Sequence, residues 1–170
     1  MTGTTFKNIG KFILLVSAQV LIFSQIHLFG YATAYIYLIF LLKLPRHTTT
    51  NTMMLWGFTA GVIVDMFGNT PGVNAAAATA MCFARNPILS MFTHKGLPED
   101  FIPNAKNLKW GSYLIYSLLG ILLFYCVLFV FELFAVRNIV PLLIAIGSST
   151  LLTMLFVIVA EGFSHKRGAA

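Results

Sequence analysis

Long apolar runs separated by short polar ones dominate the chain. Residues 12–29 form the first, with Ser17, Gln19, Ser24, Gln25 and His27 as its polar members, and Gly30 ends it. The second, 31–44, is apolar and aromatic but short; Lys43 lies near its end and Pro45 closes it. The third, 53–67, is again short and contains Asp65, and the fourth, 73–84, is rich in alanine. The fifth and sixth, 110–136 and 138–160, are long. A helix needs about 20 apolar residues, or at least ~17, to cross a bilayer. The pattern therefore predicts an all-α membrane protein, a single integral domain over 1–170 with six transmembrane helices along these runs.

The polar breaks carry their own signals. Gly68-Asn69-Thr70-Pro71-Gly72 is a turn by chemistry, with glycines free to take positive φ and a proline that fixes φ. Residues 85–109 are the longest polar stretch and hold Pro87, Pro98 and Pro103. The first run is too long for the core of a signal peptide, and no small-residue cleavage pattern follows it, so it is expected as a retained helix.

Composition agrees: 58% of the residues are hydrophobic and 9% charged, where a soluble domain carries roughly 25% charged. So much apolar surface cannot be hidden from water, and lipid is the expected solvent. The net charge of +6 does not point to nucleic acid, because the basic residues fall in small groups between apolar runs rather than on one face with aromatics. With six crossings and a cytoplasmic N-terminus, Lys7, Lys11, Lys43, Arg46, Arg85, Lys95, Lys106, Lys109, Lys166 and Arg167 lie inside and Arg137 alone lies outside. The positive-inside rule then places both termini in the cytoplasm. A re-entrant pair over the third and fourth runs gives the same charge count. Two full crossings are favoured, since a bilayer can thin around short helices.

Asp65 is the residue with most to say. A carboxylate in a membrane helix must face protein or water. Gly57, Gly61, Asp65 and Gly68 share one helical face, and Gly57 with Gly61 lets another helix approach closely. Ala75, Ala76, Ala78 and Thr79 offer the matching surface. A tight hairpin follows, in which Asp65 meets Asn69, Asn74 or the amides that open the next helix. The competing expectation is that Asp65 binds a proton, cation or substrate. Gly147, Ser148, Ser149, Thr150 and Thr153 form a hydroxyl stripe, expected as packing contacts. Glu132 and Glu161 are expected to snorkel or to pair with Arg137 and Lys166.

Cys82 and Cys126 read as thiols buried in apolar runs, and the four histidines show no metal spacing. No nucleophile elbow, zinc-protease motif or phosphate loop is present, so no catalytic residue, cofactor or metal is expected. Residues 97–109 read as an amphipathic cytoplasmic loop: Leu97, Phe101 and Ile102 are its apolar members, and Lys106 and Lys109 its basic ones. Either Phe101 and Ile102 dip into the interface while the lysines meet headgroups, or the loop docks a cytoplasmic partner.

The run GFTAGVIVDMFGNTPGVNAAA from Gly57 resembles the signature region of the MreD family of rod shape-determining proteins, in its Bacteroidetes form. IHLFGYATAYIYLIFLLKLP, NPILSMF and LLGILLFYCVLFVFELF, in that order, extend the resemblance over nearly the whole chain. Thr59 and Ala60, where bulkier residues are expected, and the segment FTHKGLPED depart from it. The resemblance implies a six-helix bundle like the substrate-binding subunits of energy-coupling-factor transporters. It also implies a bacterial inner-membrane location, and a scaffold role beside MreC, MreB, RodA and the transpeptidase of the elongation machinery. Gly57, Gly61, Asp65, Pro71, Gly72 and Asn74 are the family-like positions, and no catalytic role comes with them. A small-molecule-binding subunit of a transporter is the alternative.

Overall fold

Apolar side chains at most positions leave the backbone little water to bond, and a helix satisfies its own amides. The computed structural model describes residues 2–21, 33–68, 70–93, 101–133 and 139–167, and every regular element among them is helical. These are α1 (Thr2–Leu21), α2 (Leu38–Leu42), α3 (Thr50–Gly68), α4 (Val73–Phe92), α5 (Ala105–Leu108), α6 (Trp110–Leu133) and α7 (Ile139–Arg167).

Two stretches are both long and apolar enough to cross a membrane: Trp110–Phe131 in α6 and Leu142–Phe163 in α7, each of 22 residues. At 1.5 Å per residue each extends about 33 Å. Only 44% and 33% of these stretches are buried within the protein. Ile115, Leu118 and Leu122 of α6 and Leu143, Leu151 and Leu155 of α7 point outward. In water that would be a large uncovered apolar surface; against lipid it is ordinary.

The helices depart from the apolar runs at their ends. α3 and α4 have 19 and 20 residues, longer than the expected 53–67 and 73–84. Thr50, Asn51 and Thr52 join the start of α3, where the Thr49 hydroxyl accepts from the Thr52 amide. α4 continues through Pro87 to Phe92, because Arg85 and Asn86 find partners inside the protein. α1 starts at Thr2, well before the apolar run at 12. Residues 22–29 of the expected first helix and 134–136 of the fifth lie outside the described residues. α7 opens at Ile139 and runs beyond 160 to Arg167.

The largest correction concerns the second run. One helix is expected over 31–44. Residues 33–35 are instead non-helical, a turn occupies 36–37, and α2 has only five residues. All five are buried, as suits a helix apolar on every side. α2 therefore lies inside the bundle with no face toward lipid.

Around it α3 packs on α4, α4 on α6, α6 on α7, and α1 on α3. Phe12, Phe40 and Trp56 meet edge to face, with centroids 4.7 to 5.6 Å apart, and join α1, α2 and α3. The α3–α4 contact brings the two backbones close together. A Cβ on Gly57 would stand 2.9 Å from the Ala78 carbonyl oxygen, and one on Gly61 would stand 2.7 Å from the Asn74 carbonyl carbon. Both neighbours are backbone, so only glycine permits this approach.

Candidate functional site

The α3–α4 turn is organised by Asp65, which is 7% exposed. Its Oδ1 accepts from the Thr70 hydroxyl at 2.7 Å, the Asn74 amide at 3.0 Å and the Asn74 side-chain nitrogen at 2.9 Å. Its Oδ2 accepts from the Ala75 amide at 2.9 Å. The carboxylate thus caps the first turn of α4, whose free amides carry partial positive charge. Gly72 precedes α4 with φ +78, a conformation costly for other residues. Pro71 and Gly68 are exposed on the same turn, and Asn69 lies outside the described residues. Among the described residues the close donors around Asp65 are Thr70 of the turn and Asn74 and Ala75 in the first turn of α4, so the group acts as a cap.

A second polar system surrounds the non-helical backbone at 33–36. Gln19 of α1 donates from Nε2 to the Ala34 carbonyl at 3.0 Å and accepts at Oε1 from the Ile36 amide at 2.7 Å. From α7, the Ser149 hydroxyl accepts from the Thr33 amide at 3.1 Å and the Thr153 hydroxyl from the Tyr35 amide at 3.3 Å. Tyr125 of α6 donates to the Thr33 carbonyl at 2.6 Å, and its oxygen lies 2.7 Å from Thr153 Oγ1. Side chains from three helices thus replace the hydrogen bonds that a helix would have made. Irregular backbone survives in an apolar setting only when enclosed in this way. Within the hydroxyl stripe, Ser149 and Thr153 serve as backbone partners, whereas Ser148 bonds its own helix at Ile144.

The third system lies where α3 begins and α4 finishes. Arg85 is 1% exposed. Its Nη2 donates to the carbonyls of Leu42, at 3.2 Å, and Leu44, and its Nη1 to Asn86 Oδ1 and Met53 Sδ, both at 3.3 Å. Tyr116 adds a 2.9 Å bond to the Leu42 carbonyl. The cation meets the carbonyl end of α2 rather than a carboxylate. Glu161, expected to snorkel or to pair with Lys166, pairs with Lys43 at 2.5 Å, and its Oε1 accepts from the Ala105 amide at 2.9 Å. The fold brings Lys43 to it across the bundle end. The side chains of Glu132, Arg137 and Lys166 lie outside the described ones.

These bonds fix the strap 101–109. The Arg46 amide donates to the Phe101 carbonyl at 2.9 Å, and Phe101, Ala105 and Leu108 are buried. Phe101, which one of the two expectations has dip into a membrane interface, is a core residue, because the strap turns it inward. Ile102, Lys106 and Lys109 remain exposed, and Leu97 lies outside the described residues.

On the outer side of α3 and α4 runs an open groove of about 570 Å³, lined by Met54, Phe58, Val62, Ala76, Thr79 and Phe83 among others. Its polar side chain, Thr79, bonds the Ala75 carbonyl of its own helix at 2.7 Å. Among the described residues no group of three or more His, Cys, Asp or Glu is placed to hold a metal ion. Cys82 is buried, while Cys126, expected to be buried, is exposed. Sequence reasoning singled out Asp65 and the glycines but passed over Arg85, Gln19, Tyr116 and Tyr125. No known protein family matches this chain, nor does any curated protein or any solved structure.

Proposed function

We propose that this chain is a non-catalytic, multi-pass component of a bacterial inner membrane with the role of MreD. It binds an MreC-like partner and helps organise the elongation machinery of MreB, RodA and the transpeptidase, which builds peptidoglycan and sets cell shape. The supporting observation is the run from Gly57 to Ala77, in which the family-like positions serve architecture. Gly57 and Gly61 seat α4, Gly72 shapes the turn, and Asp65 with Asn74 caps α4. In this reading the chain crosses the bilayer six times in a bundle like the substrate-binding subunits of energy-coupling-factor transporters, the second crossing being the enclosed backbone at 33–37 with the short α2 rather than one full helix. At 19 and 20 residues, α3 and α4 extend about 28 and 30 Å, which suits full crossings of a ~30 Å hydrocarbon core. Lys43, Arg46, Arg85, Lys106 and Lys109 gather at the bundle end away from the Asp65 turn, and that end is assigned to the cytoplasm together with both termini.

A transporter subunit that binds a small molecule needs convergent polar groups in its pocket. The apolar groove on α3 and α4 favours the scaffold reading over that one. The test is affinity capture of the tagged full chain from its own membranes in mild detergent. A single-span protein of MreC type is expected to come with it, and its depletion together with this chain is expected to round the cells. Capture that recovers no such partner would overturn the proposal.

A further inference from the structure

The strap divides its residues cleanly. Phe101, Ala105 and Leu108 turn inward and are buried, while Ile102, Lys106, Lys109 and Trp110 turn outward, with Ile102 40% and Trp110 41% exposed. The inward row is locked by the Arg46 amide on Phe101 and by Glu161 on the Ala105 amide. The Asn104 side chain closes the turn on the Asn107 amide at 2.7 Å, and Asn107 in turn donates to the Ile102 carbonyl at 2.9 Å. The outward row is therefore presented by a rigid mount. Two ammonium groups beside one indole and one aliphatic side chain match the chemistry of a leaflet surface, where tryptophan sits at headgroup depth and lysine meets phosphate. Lys109 strengthens the case. It holds φ 67 and ψ 147, a region in which glycine is at ease and lysine is strained. The chain keeps a cation there against local backbone preference.

We propose that the outward edge of the strap, Ile102, Lys106, Lys109 and Trp110, binds the headgroups of anionic phospholipids in the leaflet it faces. Charge complementarity selects the occupant, and the adjoining membrane helix α6, which begins at Trp110, sets the depth. The edge thereby fixes how deep the bundle sits and gathers anionic lipid at its base. The inference rests on the membrane-spanning reading of the chain.

The experiment uses the full chain carrying Trp56→Phe, which leaves Trp110 as its remaining tryptophan. It is reconstituted into phosphatidylcholine vesicles holding a minor fraction of either brominated phosphatidylglycerol or brominated phosphatidylcholine. Trp110 fluorescence is expected to be quenched preferentially by the anionic lipid, with local enrichment on the order of fivefold per lysine. The preference is expected to vanish in Lys106→Gln/Lys109→Gln and to persist in Lys106→Arg/Lys109→Arg. Equal quenching by both lipids, or a preference unchanged in the glutamine variant, would overturn the inference while leaving the membrane reading intact. Indifference to both lipids, with a spectral change only when a soluble protein is added, would overturn it in favour of protein docking. A chain that fails to float with vesicles at all would overturn both.

Discussion

Replacing Gly61 with alanine isolates the packing that joins α3 to α4. In an exposed helix the change is favourable by about 1 kcal/mol, because alanine loses less backbone entropy. At Gly61 the new methyl meets the backbone of Ala75 and stands 2.7 Å from the Asn74 carbonyl carbon. Ordinary carbon contacts lie at about 3.5–4.0 Å, so the helices must separate by roughly 1 Å. Neither contact is the end of a flexible side chain, so no rotamer change relieves it. Overpacking of this kind costs about 1–3 kcal/mol, and separation also disturbs the Asp65 cap, whose bonds cross the same interface. A net loss of about 2 kcal/mol is expected at Gly61. Gly111 and Gly147, with no neighbour within 4 Å of an added Cβ, give the reference, a gain of up to ~1 kcal/mol. The measurement is equilibrium unfolding of the three variants in mixed micelles under a rising fraction of dodecyl sulfate, followed by tryptophan fluorescence. If Gly61→Ala unfolds together with Gly111→Ala, the close backbone approach is not what holds the hairpin.

Asp65→Asn places an amide opposite the Ala75 N–H and is expected to cost about 2–3 kcal/mol; a variant of normal stability that loses partner binding would refute the capping role. Arg85→Met strips the Leu44 carbonyl of its guanidinium partner, leaves Tyr116 alone on the Leu42 carbonyl, and is expected to cost about 3 kcal/mol in the same assay. Arg85→Lys should recover less than half, since one ammonium cannot reproduce the fork. Thr153→Val removes the hydroxyl that accepts from the Tyr35 amide, leaves Tyr125 only the Thr33 carbonyl, and is expected to cost about 2 kcal/mol; hydrogen exchange at Tyr35 should rise in it and stay unchanged in Ser148→Ala. Lys109→Gly relieves a strained backbone and is expected to raise stability by about 1 kcal/mol, so a loss of stability would show that the lysine is structurally required.

Much of the helical content is legible in the apolar runs, and the α3–α4 hairpin in the spacing of Gly57, Gly61 and Asp65 before the turn Gly68-Asn69-Thr70-Pro71-Gly72. Those signals lie close together in the chain, because Gly57, Gly61 and Asp65 act on the helix that immediately follows. The second run is misleading for the opposite reason. Its apolarity suits a helix, and the groups that draw 33–36 away from one, Gln19, Tyr125, Ser149 and Thr153, lie in distant helices. Arg85 resembles a border residue, since it follows an alanine-rich run and precedes Asn-Pro. Only the fold reveals that the carbonyl end of α2 is there to receive it. Glu161 had a cation close by in sequence and another across the bundle, and no local rule selects between them.

The sheath around residues 33–36 also sets an order of events at the ribosome. The amides of Thr33 and Tyr35 find their partners 116 and 118 residues later. Until α7 emerges, those groups have no hydroxyl to bond and cannot rest in hydrocarbon at low cost. In the proposed membrane-spanning arrangement the early part of the chain therefore waits at the bilayer surface or under an insertase, and α7 is the helix that allows the second segment to settle.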